Sequence, residues 1–411
     1  MTIIFQLTYD CNLRCSYCYQ KDKRAETLNI KDALLLIDKL FCYLKGEQEN
    51  IFSTYISDDQ DEVFKSGIQF IFFGGEALLE YKKIEIICDY FLKKCKEVPD
   101  LGLEYTFEFR IDSNGVNYKN NPEVQKMQQK YGKQMTMAIT LDGCKEAHDK
   151  NRVLPNGLGT FDIVVDSVKK YKDFHGTTPS NKITFTDDNL QYIIPTFQTL
   201  IELGYPEVVA SYDEYHQCTR EETENFYQAL VKGIDWLLQN KPEFEISCLM
   251  KEFHSGKQIV LCGSTGHMIT IAPGGILSNC QMMNSSSLDK SLEKETILGN
   301  VRDGITNLNM LNFLHHPQYF KPVQCTDCPI EFGCDFCPAT NINKTGYVFK
   351  DWHNCGATVA EARAQQYMFK RAEELGVQDK IRDFDILKEC NHYDPDYDYL
   401  YKYLDPIKKE D

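Results

Sequence analysis

The chain has 411 residues, of which 42% are apolar and 26% charged, a composition typical of a globular protein with two or three domains. Its formal charge of −16 argues against nucleic acid as the main partner, because phosphate contacts need a basic surface. The N-terminal residues show no signal-peptide pattern, and no apolar run is long enough to span a membrane. We therefore expect a cytoplasmic protein with no membrane partner.

The first half of the chain alternates short β-branched or aromatic runs with longer helical patterns. Thr160 stands where it would cap one of these helices. Strand and helix alternate six times, which predicts a parallel α/β barrel or open sheet with its chemistry at the carboxyl ends of the strands. The predicted strands are 2–7, 68–73, 106–111, 135–141, 182–186 and 207–211, and the predicted helices are 30–44, 81–95, 122–131, 161–174, 190–203 and 221–238.

After residue 241 the pattern changes. Residues 262–355 are rich in Gly, Asn, Ser and Cys, as in regions held by metal rather than by a large core. A helical pattern returns at 357–375, and an acidic, tyrosine-rich tail follows at 393–411. The acidic stretch 47–61 is interpreted as an insertion loop, near which we expect the substrate to be recognised.

The 17 cysteines far exceed what packing needs, and without export their thiols stay reduced, which favours metal or redox chemistry. Cys11, Cys15 and Cys18 follow the first predicted strand at spacings of four and three. Three such thiolates can hold three irons of a four-iron cube and leave the fourth iron open to a ligand. A structural zinc site is the alternative, but it needs a fourth ligand from elsewhere.

This CxxxCxΦC motif, with Tyr17 as the aromatic Φ, resembles the signature of the radical S-adenosylmethionine (SAM) superfamily. The resemblance implies a partial (β/α)6 TIM-like barrel and a cluster that cleaves SAM to a 5′-deoxyadenosyl radical. Companion motifs follow the later strands: a GGE motif for the SAM amino group, a polar turn near the ribose, and a TLDG…HDKNR segment whose first residue and arginine contact the SAM carboxylate. The implied SAM contacts are Tyr17, Gly74, Gly75, Glu76, Ser113, Asn114, Thr140 and Arg152.

A second set of seven cysteines lies downstream. Part of it alone is compatible with a zinc knuckle. Behind a radical SAM core, the set resembles the SPASM domain, which carries two auxiliary [4Fe–4S] clusters and brings the expected total to three. The resemblance divides the chain into a core barrel at 1–240, a bridge at 241–261, the SPASM domain at 262–355, and a helix with an acidic tail at 356–411. The cysteines are Cys262, Cys280, Cys325, Cys328, Cys334, Cys337 and Cys355.

The resemblance also implies how these cysteines divide between the clusters. Cys325, Cys328, Cys334 and Cys355 would ligate the outer cluster, and Cys262, Cys280 and Cys337 the inner one. The inner cluster then has an open iron or takes another ligand such as His267, because a further cysteine that some members carry is missing here. The final CxxC stands where the family usually shows CxxxC, so the exact division stays open.

SPASM enzymes mostly modify ribosomally synthesised peptides or protein side chains. The resemblance therefore implies a peptide maturase, and our leading hypothesis is an oxidoreductase that forms a thioether from a cysteine. One alternative is a carbon–carbon crosslink or another peptide modification. Another is anaerobic sulfatase maturation to formylglycine, but those enzymes carry an Asp where this chain has Gln281. A non-catalytic metal-stabilised protein would not need Cys11, Cys15, Cys18 and Glu76 together.

The expected partners are a peptide or protein substrate and an electron donor such as a ferredoxin or flavodoxin. Because the first strand begins at Thr2, we expect no N-terminal leader-binding domain, so that either a separate leader-binding protein presents the substrate or the barrel recognises it directly. The general base is not identified. Asp213, Glu214 and His216 follow the sixth strand and are candidates, with surface positions as the alternative.

Overall fold

The computed structural model describes residues 1–56, 67–99, 106–253, 266–284, 286–288, 290–316, 328, 330, 333–334, 337–346 and 355–389. The predicted ligands Cys262 and Cys325 lie outside these residues, as do the acidic tail and part of the stretch 47–61. Within the described chain, no helix is both long and apolar enough to cross a bilayer.

Alternating strands and helices build the first half, as the sequence predicts. The strands are β1 (Thr2–Gln6), β2 (Ile68–Phe73), β3 (Phe107–Ser113), β4 (Met135–Ile139), β5 (Lys182–Phe185), β6 (Glu207–Tyr212) and β7 (Glu245–Ile246). The helices are α1 (Ile30–Leu44), α2 (Phe52–Tyr55), α3 (Tyr81–Glu97), α4 (Pro122–Tyr131), α5 (Lys145–Asn151), α6 (Phe161–His175), α7 (Ile193–Leu203) and α8 (Arg220–Asn240).

The second half contains shorter strands and several helices. The strands are β8 (Met268–Ala272), β9 (Ile276–Ser278), β10 (Gly299–Asn300) and β11 (Gly304–Ile305). The helices are α9 (Lys290–Thr296), α10 (Leu308–His315), α11 (Pro338–Thr345), α12 (Cys355–Leu375) and α13 (Phe384–Glu389).

The strands form a partial parallel barrel. Strands β1 to β4 are hydrogen-bonded in chain order, and β5, β6 and β7 form a second parallel group. A parallel bridge between Ala138 and Ser180 joins β4 to the segment before β5. Parallel strands in sequential order, with helices between them, confirm the predicted partial (β/α)6 TIM-like barrel.

The sheet also continues into the second half. Strand β8 pairs in parallel with β1, Thr2 opposite Met268, and β9 to β11 extend it in antiparallel fashion. On the outside, helix α12 packs along α8 and is buried from Gly356 to Ala360. The cysteine-rich half is thus attached to the barrel through both a strand and a helix.

The outer face of the barrel sheet carries the hydrophobic core. Aromatic side chains from β1, β2 and β3 meet α3, with the rings of Phe70 and Phe91 4.6 Å apart in an edge-on contact. The opposite face of β3 carries Glu108, Arg110 and Asp112, all half-buried. A closed TIM barrel fills its interior with branched apolar residues. This barrel therefore presents a polar, partly accessible interior.

The described part of the acidic stretch 47–61, interpreted from sequence as an insertion loop, is held by hydrogen bonds and by packing. Glu49 accepts backbone hydrogen bonds from the start of α2, and Phe52 and Tyr55 are fully buried. The Tyr55 hydroxyl hydrogen-bonds to the carbonyl of Met268 in β8. This segment therefore packs the barrel against the cysteine-rich half, a role that its acidic composition conceals.

Candidate active site

The cysteine motif lies on the loop that leaves β1, at the carboxyl ends of the parallel strands. The turn after β2 runs alongside this loop: Gly75 N donates to Thr8 O at 2.8 Å and Glu76 N to Asp10 O at 2.9 Å. A β-carbon at Gly75 would lie 2.1 Å from the Asp10 carbonyl oxygen. Only glycine permits this approach of the two backbones, which is the physical reason for the second glycine of the GGE motif.

The carboxylate of Glu76 is buried and hydrogen-bonded to protein donors. It accepts hydrogen bonds from Leu78 N at 3.0 Å, Ser113 Oγ at 2.7 Å and Asn114 N at 2.8 Å. Burial raises the pKa of Glu76, and these three donors oppose that rise. The carboxylate thus ties the end of β2 to the end of β3.

Asn114 connects the end of β3 to the cysteine loop. Its Nδ2 donates to Asn12 Oδ1 at 2.7 Å and lies 3.8 Å from Cys11 Sγ, while Leu13 N lies 3.4 Å from the same sulfur. Burial, followed by the charge of Glu76, raises the pKa of the Cys11 thiol to about 12. N–H groups directed at a buried cysteine sulfur suit a thiolate ligand of an iron–sulfur cluster, whose potential such hydrogen bonds tune.

The other side of the cysteine loop rests on the segment after α5. Arg14 N donates to Val153 O at 2.8 Å, and Ser16 N donates to Asn151 O at 3.0 Å. The cysteine loop is therefore held between turns that follow three neighbouring strands. In the described residues, no three His, Cys, Asp or Glu side chains are grouped so as to hold a single metal ion.

Arg152, which directly follows α5, lies beside the cysteine loop. Its Nη1 donates to the Tyr17 hydroxyl at 2.8 Å, and that hydroxyl in turn donates to Asp142. Burial disfavours the charged guanidinium, but Tyr17, Cys15 and Asp142 outweigh it and raise the pKa of Arg152. The Arg152 Nε is buried and has no hydrogen-bond partner in the described chain. A buried cation with an unused donor suits a carboxylate ligand, as expected for the SAM carboxylate.

Thr140 follows β4 and is half-buried, and its backbone N donates to Ser113 O at 3.2 Å. The predicted SAM contacts that come from the ends of β2, β3 and β4 therefore surround the cysteine loop.

Thr160 takes the N-cap position of α6 as predicted, but its hydroxyl donates to Arg152 O instead of capping the helix. In place of the Thr160 hydroxyl, Asp149 Oδ1 accepts a hydrogen bond of 2.8 Å from Phe161 N, the first backbone N–H of the helix.

The described cysteines of the second set lie in two surroundings. Cys328 and Cys355 pack against a small apolar cluster, which we call the minor core, formed by Phe253, Ile330, Val359 and Ala362. Thr358, one turn into α12, places its hydroxyl 3.8 Å from Cys334 Sγ. In contrast, Cys280 belongs to the main core and Cys337 packs against it. This division parallels the predicted outer and inner sets, whose ligand assignment remains a prediction.

A tyrosine pair lies between the two cysteine systems. The rings of Tyr19 and Tyr215 are stacked, with centroids 6.3 Å apart and planes at 11°. Burial raises the pKa of Tyr19, and the next contributions come from Cys18 of the first motif and Cys280 of the second. Tyr19 is therefore close to Cys18 of the first motif and to Cys280 of the second. In the sequence, the signal that could have identified Tyr19 is its position directly after Cys18.

The candidates for the general base have different surroundings. Glu214 is exposed and pairs with Lys182 at 3.2 Å. His216 pairs with Glu222 at 2.9 Å, and Glu222 forms the capping box of α8 with Thr219. Glu214 and His216 are thus engaged in ion pairs, and their candidacy as general base remains a prediction.

Asp213 is half-buried, and burial raises the pKa of its carboxyl. Asp112, which the sequence did not single out, faces the barrel interior and is bound by Arg110 at 2.7 Å. Burial raises its pKa as well. His267 is exposed, and its carbonyl accepts from Thr2 N at 2.8 Å.

Comparisons with known proteins add to this geometry. No protein-family model matches the sequence. An uncharacterised protein of Methanocaldococcus jannaschii is 27% identical over 210 residues, which are 50% of this chain and 60% of that relative. The chain thus spans about 60% of the length of the curated relative that it matches.

Solved structures share the fold over most of the chain. The enzyme anSMEcpe, an anaerobic sulfatase-maturating enzyme solved with bound AdoMet (SAM), has a TM-score of 0.67 at 14% identity, covering 95% of this chain and 99% of that one. The same enzyme with bound AdoMet and a Kp18Cys peptide gives 0.65 at 14% identity, over 91% and 98%. Streptococcus suis SuiB bound to its precursor peptide SuiA gives 0.52 at 13% identity, over 84% and 73%. At these identities the likeness establishes the fold.

Proposed function

We propose that this protein is a radical SAM enzyme that modifies peptides. The observation that carries the proposal is the position of the Cys11–Cys18 loop, held between the turns after β2, β3 and β4 by Glu76, Asn114 and the segment beside Arg152. Cys11, Cys15 and Cys18 would hold a [4Fe–4S] cluster. Together with SAM, this cluster would supply a 5′-deoxyadenosyl radical.

The chain's own residues would bind and orient SAM. Arg152 offers a buried cation with an unused donor to the methionine carboxylate. The glycine turn, whose backbone lies against the cysteine loop, would bind the amino group. The Glu76 carboxylate holds this turn in place through three protein donors and keeps a further acceptor site for the same amino group.

A peptide is the proposed substrate class. The partly accessible barrel interior carries Glu108, Arg110 and Asp112, which suit the polar backbone and side chains of a peptide better than an apolar ligand. Two structures of the same fold hold peptides, anSMEcpe with Kp18Cys and SuiB with SuiA. The donor of the initiating electron would be a ferredoxin or flavodoxin, and a separate leader-binding protein is a further proposed partner.

Thioether formation is the finer proposal. Cys280 and Cys337, with Cys262, would hold an inner [4Fe–4S] cluster close to the first cysteine loop, as the position of Tyr19 between Cys18 and Cys280 supports. Formylglycine formation is less favoured, because the residue after Cys280 is Gln281. The amide of Gln281 cannot accept a proton as the carboxylate of an Asp would. Its Oε1 lies 3.4 Å from Cys280 Sγ.

An anaerobic assay with SAM, a reductant and cysteine-containing peptides tests the proposal. We expect 5′-deoxyadenosine from the wild type and none from Cys15→Ala. A thioether removes two hydrogens from the peptide and blocks its cysteine to alkylation. A carbon–carbon crosslink removes two hydrogens but leaves the thiol reactive, whereas formylglycine formation from cysteine removes two hydrogens and also exchanges sulfur for oxygen. Wild-type enzyme that carries iron and never cleaves SAM would overturn the proposed function.

A further inference from the structure

A closed ring of hydrogen bonds joins five residues beside the cysteine loop. The bonds run from Arg152 Nη1 to the Tyr17 hydroxyl (2.8 Å), from that hydroxyl to Asp142, and from Asp142 N to His148 Nδ1 (3.1 Å). They continue between His148 Nε2 and Thr160 Oγ1 (3.0 Å) and return from Thr160 Oγ1 to Arg152 O (3.0 Å). Arg152 is thus held at both its side chain and its backbone.

The proton positions in this ring are mutually consistent. His148 Nδ1 accepts from a backbone N–H, so its Nε2 carries the proton and donates to Thr160, which leaves the Thr160 hydroxyl free to donate to Arg152 O. Burial, together with the charges of Arg152 and Lys145, lowers the pKa of His148, which matches this neutral tautomer. Each hydroxyl in the ring donates one bond and accepts one.

Four of the five ring residues are buried, and Tyr17 is half-buried. The exposed fractions are 2% for Asp142, 0% for His148 and Thr160, and 8% for Arg152. Hydrogen bonds in such surroundings are stronger than in water, and a polar group left unpaired there is costly. Arg152 Nε is such a group in the described chain, so the ring holds the guanidinium in place without using all its donors.

Tyr17 stands between the two charges of the ring. Among the described ion pairs there is none between Asp142 and Arg152, since the tyrosine hydroxyl receives a bond from one and gives a bond to the other. A direct ion pair with Asp142 would draw the guanidinium away and neutralise it. With the hydroxyl interposed, the positive charge remains available to another carboxylate.

We propose that the hydroxyl of Tyr17 is a positioning group, which fixes Arg152 for the carboxylate of SAM and separates it from Asp142. This inference rests on the proposed function, since it takes SAM as the ligand. It assigns Tyr17 a role beyond that of an aromatic residue in the cysteine motif. It also gives the buried side chains of Asp142, His148 and Thr160 a common function, which is to hold Arg152 in place.

The test compares the binding of SAM and of decarboxylated SAM to anaerobically reconstituted wild type and Tyr17→Phe. Loss of a charge-assisted hydrogen bond predicts about tenfold weaker binding of SAM or more. Decarboxylated SAM, which lacks the group that Arg152 binds, should bind the two proteins equally. Tyr205→Phe is the matched control, because it removes another buried tyrosine hydroxyl that has no described partner.

A double-mutant cycle gives an independent readout. If Tyr17 acts only through Arg152, Tyr17→Phe should weaken SAM binding no further in an Arg152→Gln background. If Tyr17→Phe does not assemble its cluster, Thr160→Val against Thr160→Ser tests the ring from its other side, and only the valine variant should lose affinity for SAM.

Three results would overturn the inference: wild-type affinity for SAM in Tyr17→Phe, equal losses for both ligands, or additive effects with Arg152→Gln. Failure of the wild type itself to bind SAM would instead overturn the proposed function.

Discussion

The two cysteine regions of this protein are held by different means. The loop of Cys11, Cys15 and Cys18 lies among the ends of β1 to β4 and is tied to them by backbone hydrogen bonds and by the buried side chains of Glu76 and Asn114. Of the described outer cysteines, Cys328 and Cys355 instead pack against the minor core, and Cys334 lies near Thr358 at the start of α12. The barrel thus prepares the first site through its own folding.

This difference between the two cysteine regions indicates where bound metal is expected to stabilise the local structure. The minor core has four described apolar side chains, and small domains rich in cysteine commonly rely on metal for their stability. We therefore expect loss of the first cluster to abolish chemistry and spare the fold. Loss of the outer cluster should disturb local structure. The following predictions test that contrast.

The largest effect is expected at Gly75. Gly75→Ala places a β-carbon within 2.1 Å of the Asp10 carbonyl oxygen, so the cysteine loop must move away from the turn after β2. SAM cleavage should fall by at least about a hundredfold, because an ångström of misplacement is enough for such a loss. Anaerobic formation of 5′-deoxyadenosine is the measurement. Gly176→Ala, at a helix C-cap with a φ of 76° and open space around it, serves as the control: it strains the backbone locally but should keep its activity.

The next effect concerns the outer cysteines. A Cys334/Cys355→Ala variant should lose about four irons per chain. Amide hydrogen exchange should rise over the first turns of α12 and the minor core, while β1 to β4 keep wild-type protection. Reductive cleavage of SAM should persist, since the first cluster is held separately. Equal protection of α12 in variant and wild type would mean that metal does not stabilise this region.

A smaller effect is expected from Glu76→Gln. The amide replaces one acceptor oxygen with a donor, which then faces a backbone N–H of Leu78 or Asn114. The unfolding free energy should decrease by about 1–3 kcal/mol, the usual penalty for a buried group left unpaired. Chemical denaturation of the apoprotein measures this decrease. A variant as stable as the wild type would show that the carboxylate does not join β2 to β3.

The smallest effect is expected at an ion pair that joins the two halves of the chain. Arg302, in the turn between β10 and β11, pairs with buried Asp32 on α1 at 2.7 Å, but its own side chain is 57% exposed. Solvent screens such a pair, so Arg302→Gln should lower the unfolding free energy by about 1 kcal/mol or less. Thermal unfolding at low and high salt measures this contribution. A large loss would indicate that the halves depend on this ion pair more than on β8 and α12.

Much of the fold follows from the sequence because it is encoded locally. Hydrophobic periodicity predicts the strands and helices of the first half to within a few residues, and the motifs fall at strand ends as expected. The pairing of β8 with β1 was not predictable, since nothing in Met268–Ala272 specifies a partner far away in the chain. For the same reason the packing of Tyr55 on β8 was missed.

The candidate site divides in a similar way. Short motifs identify Cys11, Glu76 and Arg152 as residues of one site, but they do not indicate which atoms meet. The bond between Tyr17 and Asp142 joins residues 125 apart in sequence, and the stack of Tyr19 on Tyr215 depends on the whole barrel. Contacts of this kind arise from tertiary structure and leave no local pattern.

The most direct test of the central claim is the iron, sulfide and zinc content of the wild type and of a Cys11/Cys15/Cys18→Ala variant after anaerobic reconstitution. We predict about twelve irons per chain in the wild type and about eight in the variant, with an unchanged far-UV spectrum and no SAM cleavage. Equal iron content in the two proteins, or zinc in place of iron in the wild type, would contradict the assignment of a SAM-binding cluster to this loop.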